Sequence, residues 1–132
     1  MEAFVGRDSS IMQQIDKTTE RRGLFIKKKK LMLNQADILY IESRAKKVEI
    51  HLLDAAESIE IYATMEELKE RLGEDFYRCH RAYLVNMAHI AGYGNDSITI
   101  MNGNQVPMAK KRRKAFAEAY QNYLRLGGVF SV

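Results

Sequence analysis

Three groups of residues in this chain could bind or react: the tetrad Arg78-Cys79-His80-Arg81, and the cationic runs Lys27 to Lys30 and Lys110 to Lys114. The tetrad lies between apolar anchors, with Phe76 and Tyr77 before it and Tyr83, Leu84, Val85 and Ile90 after it. A turn tethered at both ends has little freedom, so His80 and Arg81 should present their donors at fixed angles. A guanidinium can pair with O6 and N7 of guanine, and an imidazole can donate to or accept from a base edge or a phosphate. Arg78 has a competing role, because alternation along Tyr77 to Cys79 directs it toward Glu74 or Asp75 as a surface ion pair. That reading is preferred. Cys79, flanked by cations, is a candidate redox thiol. Its commoner role is that of a small buried hydrophobe on the inward face of a strand.

The formal net charge of +4 hides how the charge is arranged. The two cationic runs hold nine of the 21 lysines and arginines, leaving 12 cations against 17 acids on a body of net −5. Basic runs on a mildly acidic body are the footprint of a polyanion-binding face, although such runs also occur as solvated loops. The second run opens a helical pattern over Lys110 to Leu126, in which Phe116, Tyr120, Tyr123 and Leu124 recur at i, i+4, i+7 and i+8. Five cations at a helix N-terminus oppose the macrodipole, and a phosphate backbone would turn that cost into attraction. The alternative is a frayed loop, with the helix beginning near Ala115.

Several classes find little support. No pair among His51, His80, His89 and Cys79 has the spacing that presents two ligands to one metal ion. A phosphate-cradling glycine loop and a Gly-x-Ser-x-Gly elbow are both lacking, so the sequence predicts no catalytic residue, no cofactor and no metal. No apolar run approaches the ~20 residues of a membrane span, the N-terminus does not read as a secretory signal, and one cysteine suits a reducing cytoplasm. A basic interaction module that docks on RNA or an acidic protein is the alternative. For RNA it would need Tyr40, Tyr62 and Tyr93 exposed for base stacking.

The elements that must position these residues are mostly strands. At 132 residues the chain has room for one packed domain. Residues 1–23 read as a linker or arm, with a weak helix capped at Asp8 to Ser10 and carrying Ile11 and Ile15. Short apolar runs at Leu24 to Lys27, Leu31 to Leu33 and Ile38 to Ile41 follow. Along Lys46 to Leu53, Val48, Ile50 and Leu52 fall on one face and Lys47, Glu49 and His51 on the other; Ile59 and Ile61 continue the pattern as a hairpin. Thr64 to Glu67 is a capping box for a helix that turns Leu68 and Leu72 inward and stops at Gly73. A strand into Cys79, a helical turn at Tyr83 to Asn86, and strands at His89 to Tyr93, Ser97 to Met101 and Gln105 to Met108 complete the middle. Pro107 puts the last of these at an edge. Tyr83 should pack in the core, and Asn86 should serve as a buried cap or turn.

The string Phe76-Tyr-Arg-Cys-His-Arg-Ala-Tyr-Leu-Val-Asn86, with His89-Ile90 after it, resembles the signature of the LytTR family, the DNA-binding output domains of many bacterial response regulators. The resemblance spans residues 24–126 and leaves 127–132 as a tail. It implies a mostly β fold, with antiparallel strands in small packed sheets forming a sandwich, short helices and a C-terminal helix. It also implies sequence-specific duplex DNA binding through three loops, which here carry Arg44, Lys46 and Lys47; His80 and Arg81; and Lys110, Lys111 and Arg112. Many relatives have Gly-Asn and an aromatic residue where this chain has Ala45-Lys46-Lys47, so its first loop suits phosphate rather than bases. Ser-Arg-Arg is common where this chain has Ala109-Lys110-Lys111, and lysine lacks the planar fork for guanine. Ala82 stands in for a frequent serine. The resemblance further implies transcription regulation in the cytoplasm, either as the output domain of a response regulator with a receiver domain upstream in the full-length protein or as a stand-alone regulator, with paired direct repeats in promoters and a monomer that binds DNA as two copies.

Overall fold

The computed structural model describes residues 22–132, so the helix expected around Asp8 to Ile15 lies outside them. The described residues fall into two compact units, one ending at Asp37 and the other running from Ile38 to Val132.

In the first unit, β1 (Gly23–Ile26) and β2 (Leu31–Asn34) form an antiparallel hairpin, with Leu24 opposite Leu33 and Phe25 opposite Met32. The alternation sorts the faces: Leu24, Ile26 and Leu33 are buried, whereas Phe25 and Met32 are exposed. The lysine run makes the turn between the strands. Lys27–Lys29 form a 3-10 turn closed by Lys30 at φ 50°, whose N–H donates to the Lys27 carbonyl.

The second unit holds a five-stranded antiparallel sheet, in the order β5-β4-β3-β7-β6, and a three-stranded one, in the order β10-β9-β8. The larger sheet comprises β3 (Ile38–Arg44), β4 (Lys47–Leu52), β5 (Ile59–Tyr62), β6 (Phe76–His80) and β7 (Tyr83–Asn86). The smaller comprises β8 (Ile90–Tyr93), β9 (Ser97–Ile100) and β10 (Gln105–Pro107). Pro107 ends an edge strand, where its missing N–H costs no ladder bond. Helix α1 (Met65–Arg71) begins at the expected capping box: Thr64 Oγ1 accepts from Glu67 N, and Glu67 Oε1 accepts from Thr64 N, both at 3.0 Å. Helix α2 (Arg113–Leu126) closes the fold.

The two faces of the larger sheet differ. On one, Ile41 stands opposite both Ile50 and Leu84, and Ser43 opposite Val48; the four apolar residues are fully buried. The other is divided. At one end Tyr40, Val85 and Cys79 join Ile98, Ile100, Val106 and Phe116 in a core shared with the smaller sheet and α2. Phe116 anchors that core through edge-on contacts with Tyr77 and Tyr93 and a stacked contact with Tyr120. At the other end the same face is polar and carries Glu42, Glu49, His51 and Lys47.

Two expectations are corrected. Tyr83–Asn86 is not a helical turn but a strand between two neighbours, with Leu84 and Val85 fully buried on opposite faces. A strand buried on both sides shows no alternation, and a run of four such residues is ambiguous in sequence. The cationic run is neither a full α-helical start nor a frayed loop. Lys110–Arg112 form a 3-10 turn, and the α-helix proper begins at Arg113. Asn86 is the buried turn residue expected, donating to the Ile38 carbonyl and accepting from Ala88 N.

Candidate nucleic-acid interface

The three basic loops are linked by hydrogen bonds within the second unit. Ser43 N donates to the Ala82 carbonyl at 2.8 Å, which seats the β3–β4 turn beside the β6–β7 turn. Ala109 N donates to the Cys79 carbonyl at 2.9 Å, and Arg112 Nη1 to the Arg78 carbonyl at 3.0 Å, which seats the third loop on the other side of that turn. Ser43 and Arg112, 69 positions apart in sequence, thus belong to one hydrogen-bonded succession of loops.

In the first loop Ala45 has φ 54°, a left-handed conformation that costs a residue with a Cβ about 1 kcal/mol. Lys46 is exposed. Arg44 is also exposed, and its Nε lies 3.4 Å from both Glu42 Oε2 and Glu49 Oε1, which raises its pKa, chiefly through the hydrogen bond to Glu42. Lys47 Nζ lies 3.1 Å from Glu60 and 5.0 Å from the centre of the Tyr62 ring, and the hydrogen bond to Glu60 raises its pKa.

In the second loop Arg81 is exposed and His80 is half-buried, its ring set edge-on to Tyr83. His80 Nδ1 accepts from Ala82 N at 3.1 Å. In the neutral ring that bond assigns the proton to Nε2, which makes Nε2 the donor. Tyr83 does not lie wholly in the core: it is half-buried, and its hydroxyl donates to Glu42 Oε2 at 3.2 Å.

Arg78 does not pair with Glu74 or Asp75. The pairing of β6 with β7 slips between Tyr77 and His80, and the side chain reaches back to α1, where Nη1 meets Glu66 Oε2 at 3.0 Å. Its Nη2 donates to the Arg81 carbonyl at 2.6 Å. Arg78 therefore braces the turn that carries His80 and Arg81, a role the sequence reading missed because Glu66 lies twelve residues away. In the third loop Lys110 and Lys111 are exposed, while Arg112 is partly committed to the Arg78 carbonyl. Next to it, Arg113 Nη1 donates to Asn95 Oδ1 at 2.8 Å.

Cys79 is fully buried, and its thiol points to the Pro107 carbonyl at 3.5 Å. Burial pushes its pKa up to about 12, the opposite of what a reactive thiolate needs. Of the tyrosines that could form a stacking platform, Tyr40 is buried against His51, and Tyr93 packs on Phe116 and Tyr120. Only Tyr62 of the three is largely open.

Residues 28–121 match the family of LytTr DNA-binding domains. The chain belongs to that family. Among solved structures, the LytTr DNA-binding domain of a putative methyl-accepting/DNA response regulator from Bacillus cereus shares the fold, with a TM-score of 0.60 and 22% identity over 67% of this chain and 85% of that one. A comparison with curated proteins finds no match. The mostly antiparallel β architecture with a C-terminal helix is thus that of a LytTr domain, and DNA binding in transcription regulation is the activity its geometry has to explain. Among the described residues no helix is long and apolar enough to cross a membrane.

Proposed function

We propose that this LytTr domain binds duplex DNA sequence-specifically, with Arg44, Lys46, Lys47, His80, Arg81, Lys110, Lys111 and Arg112 facing the nucleic acid. The observation that carries the reading is the hydrogen-bonded succession of three basic loops along one edge. Within it the roles divide by chemistry. Arg81, exposed on a braced turn, has the fork for guanine, and His80 offers a donor from Nε2. Lys46, Lys110 and Lys111 are flexible point charges suited to phosphate, which positions the protein without reading sequence. Arg44 and Lys47 carry acidic partners that compete with phosphate, and Arg112 spends one donor on its neighbour.

Residues 24–126 make up the binding domain, with 1–23 as an arm and 127–132 as a tail. It acts in the cytoplasm in transcription regulation, either as the output of a two-component regulator downstream of a receiver domain or as a stand-alone regulator. It is a monomer in solution and occupies paired promoter repeats as two copies. The test begins with selection of sites from a random duplex library, followed by affinity measured against salt. Each phosphate neutralised contributes about −0.9 to the log–log slope, so several basic contacts give a slope steeper than about −3. A slope near zero overturns the reading.

A further inference from the structure

At the open, polar end of the larger sheet, Glu42 and Glu49 stand directly opposite each other on β3 and β4, and His51 lies two residues beyond Glu49 on the same face. One donor atom from each of the three lies within 4.8 Å of the others. His51 Nε2 is 3.3 Å from Glu42 Oε1 and 3.9 Å from Glu49 Oε1. Two carboxylates facing across a strand pair repel, so the arrangement calls for a cation. Among the described residues, the fixed charge supplied to both is that of Arg44, a solvent-exposed side chain with one nitrogen 3.4 Å from each.

The donors are held as metal ligands are held. All three come from paired strands, which fixes their backbones. The His51 ring is stacked on Tyr40 at 4.2 Å, which fixes its plane. Glu42 accepts from the Tyr83 hydroxyl through Oε2, leaving Oε1 on the side of His51. Outer contacts of this kind orient ligands in metal sites. An imidazole nitrogen with two carboxylates, all half-buried, is a donor set for a zinc-class divalent ion, whereas magnesium and calcium favour oxygen alone.

We propose that Glu42, Glu49 and His51 bind one divalent first-row transition ion of the zinc class, which takes both carboxylates from Arg44 and frees its guanidinium for a DNA phosphate. Two carboxylates and a neutral imidazole around a divalent ion are charge-neutral, so Arg44 loses its attraction to the site. The coupling to DNA rests on Arg44 facing the duplex, as proposed above; the metal site does not.

The experiment uses the full chain without an affinity tag. Cobalt(II) and zinc are titrated by visible absorption and calorimetry, and the imidazole signals of all three histidines are followed by NMR in the wild-type protein. The expected result is one ion per chain at micromolar concentration, with the His51 ring signals shifting and those of His89 unmoved. Glu49→Gln and His51→Gln should each weaken binding at least tenfold, and His89→Gln should not. Absence of binding, or a shift confined to another histidine, overturns the site even where a variant fails to fold. For the coupling, zinc should steepen the salt slope of duplex binding by about one contact in the wild type and not in Arg44→Gln. Zinc bound with an unchanged slope overturns the coupling; zinc bound with no DNA binding at all overturns the DNA reading and leaves the metal site standing.

Discussion

Replacing Arg78 with alanine tests whether the β6–β7 turn is braced from beneath. The guanidinium makes a 2.6 Å hydrogen bond to the Arg81 carbonyl and a 3.0 Å ion pair with Glu66, and the side chain is only 26% exposed. A charge-assisted hydrogen bond of this kind nets about 1.5 kcal/mol, and the packed stem adds about 1. Against this, Arg78 Nε is buried with no hydrogen-bond partner among the described residues, and its removal returns about 1 kcal/mol. The net loss is about 1.5 kcal/mol, which for a domain of this size lowers Tm by about 6 °C. Glu66→Gln removes only an exposed ion pair, so its effect should be much smaller. Arg78 holds the Glu66 carboxyl below its usual range, mainly by hydrogen bonding. A carboxylate lowered in the folded state stabilises above its ordinary pKa and ceases to as pH falls through the folded value, so the small difference between wild type and Glu66→Gln should vanish in acid. Thermal unfolding near neutral pH and near pH 3, with duplex affinity measured in parallel, checks both. The bracing role is refuted if Arg78→Ala melts with the wild type, or if Glu66→Gln costs as much as Arg78→Ala.

Two further outcomes follow from local geometry. The Cys79 thiol is fully buried, and burial pushes its pKa up to about 12, so alkylation should require unfolding; rapid labelling of the native protein, read by mass spectrometry, would restore a redox role. Ala45→Gly should raise stability by about 1 kcal/mol by relieving the left-handed φ in the first loop, and denaturant unfolding that shows no gain would mean the turn does not adopt that conformation.

What the sequence disclosed was local. The Thr64 capping box, the alternation along Lys47 to Leu52 and the aromatic stripe from Phe116 each announce themselves within a few residues, and each stands where expected. Tyr83–Asn86 went unread because burial on both faces erases periodicity. The basic loops were visible as charge, but their succession depends on bonds such as Ser43 to Ala82 and Ala109 to Cys79, which no spacing encodes. The Glu42–Glu49–His51 cluster was half legible, since Glu49 and His51 alternate on the wet face. That Glu42 stands opposite Glu49 depends on the register of β3 and β4.

Arg81 decides whether this domain reads bases or only holds charge. Its exposed side chain contributes little to stability, so Arg81→Ala should fold as the wild type does and lose about 1–3 kcal/mol of affinity for the selected site, with much less loss on random duplex. Lys111→Ala, by contrast, should weaken both duplexes alike. Arg81→Lys keeps the charge and loses the fork, so it should restore random-duplex binding more fully than specific binding. The decisive measurement is therefore the ratio of specific to random affinity across wild type, Arg81→Ala and Arg81→Lys at one salt concentration. A ratio that falls in both variants, with random affinity recovered only in the lysine one, is the predicted result; an unchanged ratio in all three contradicts it.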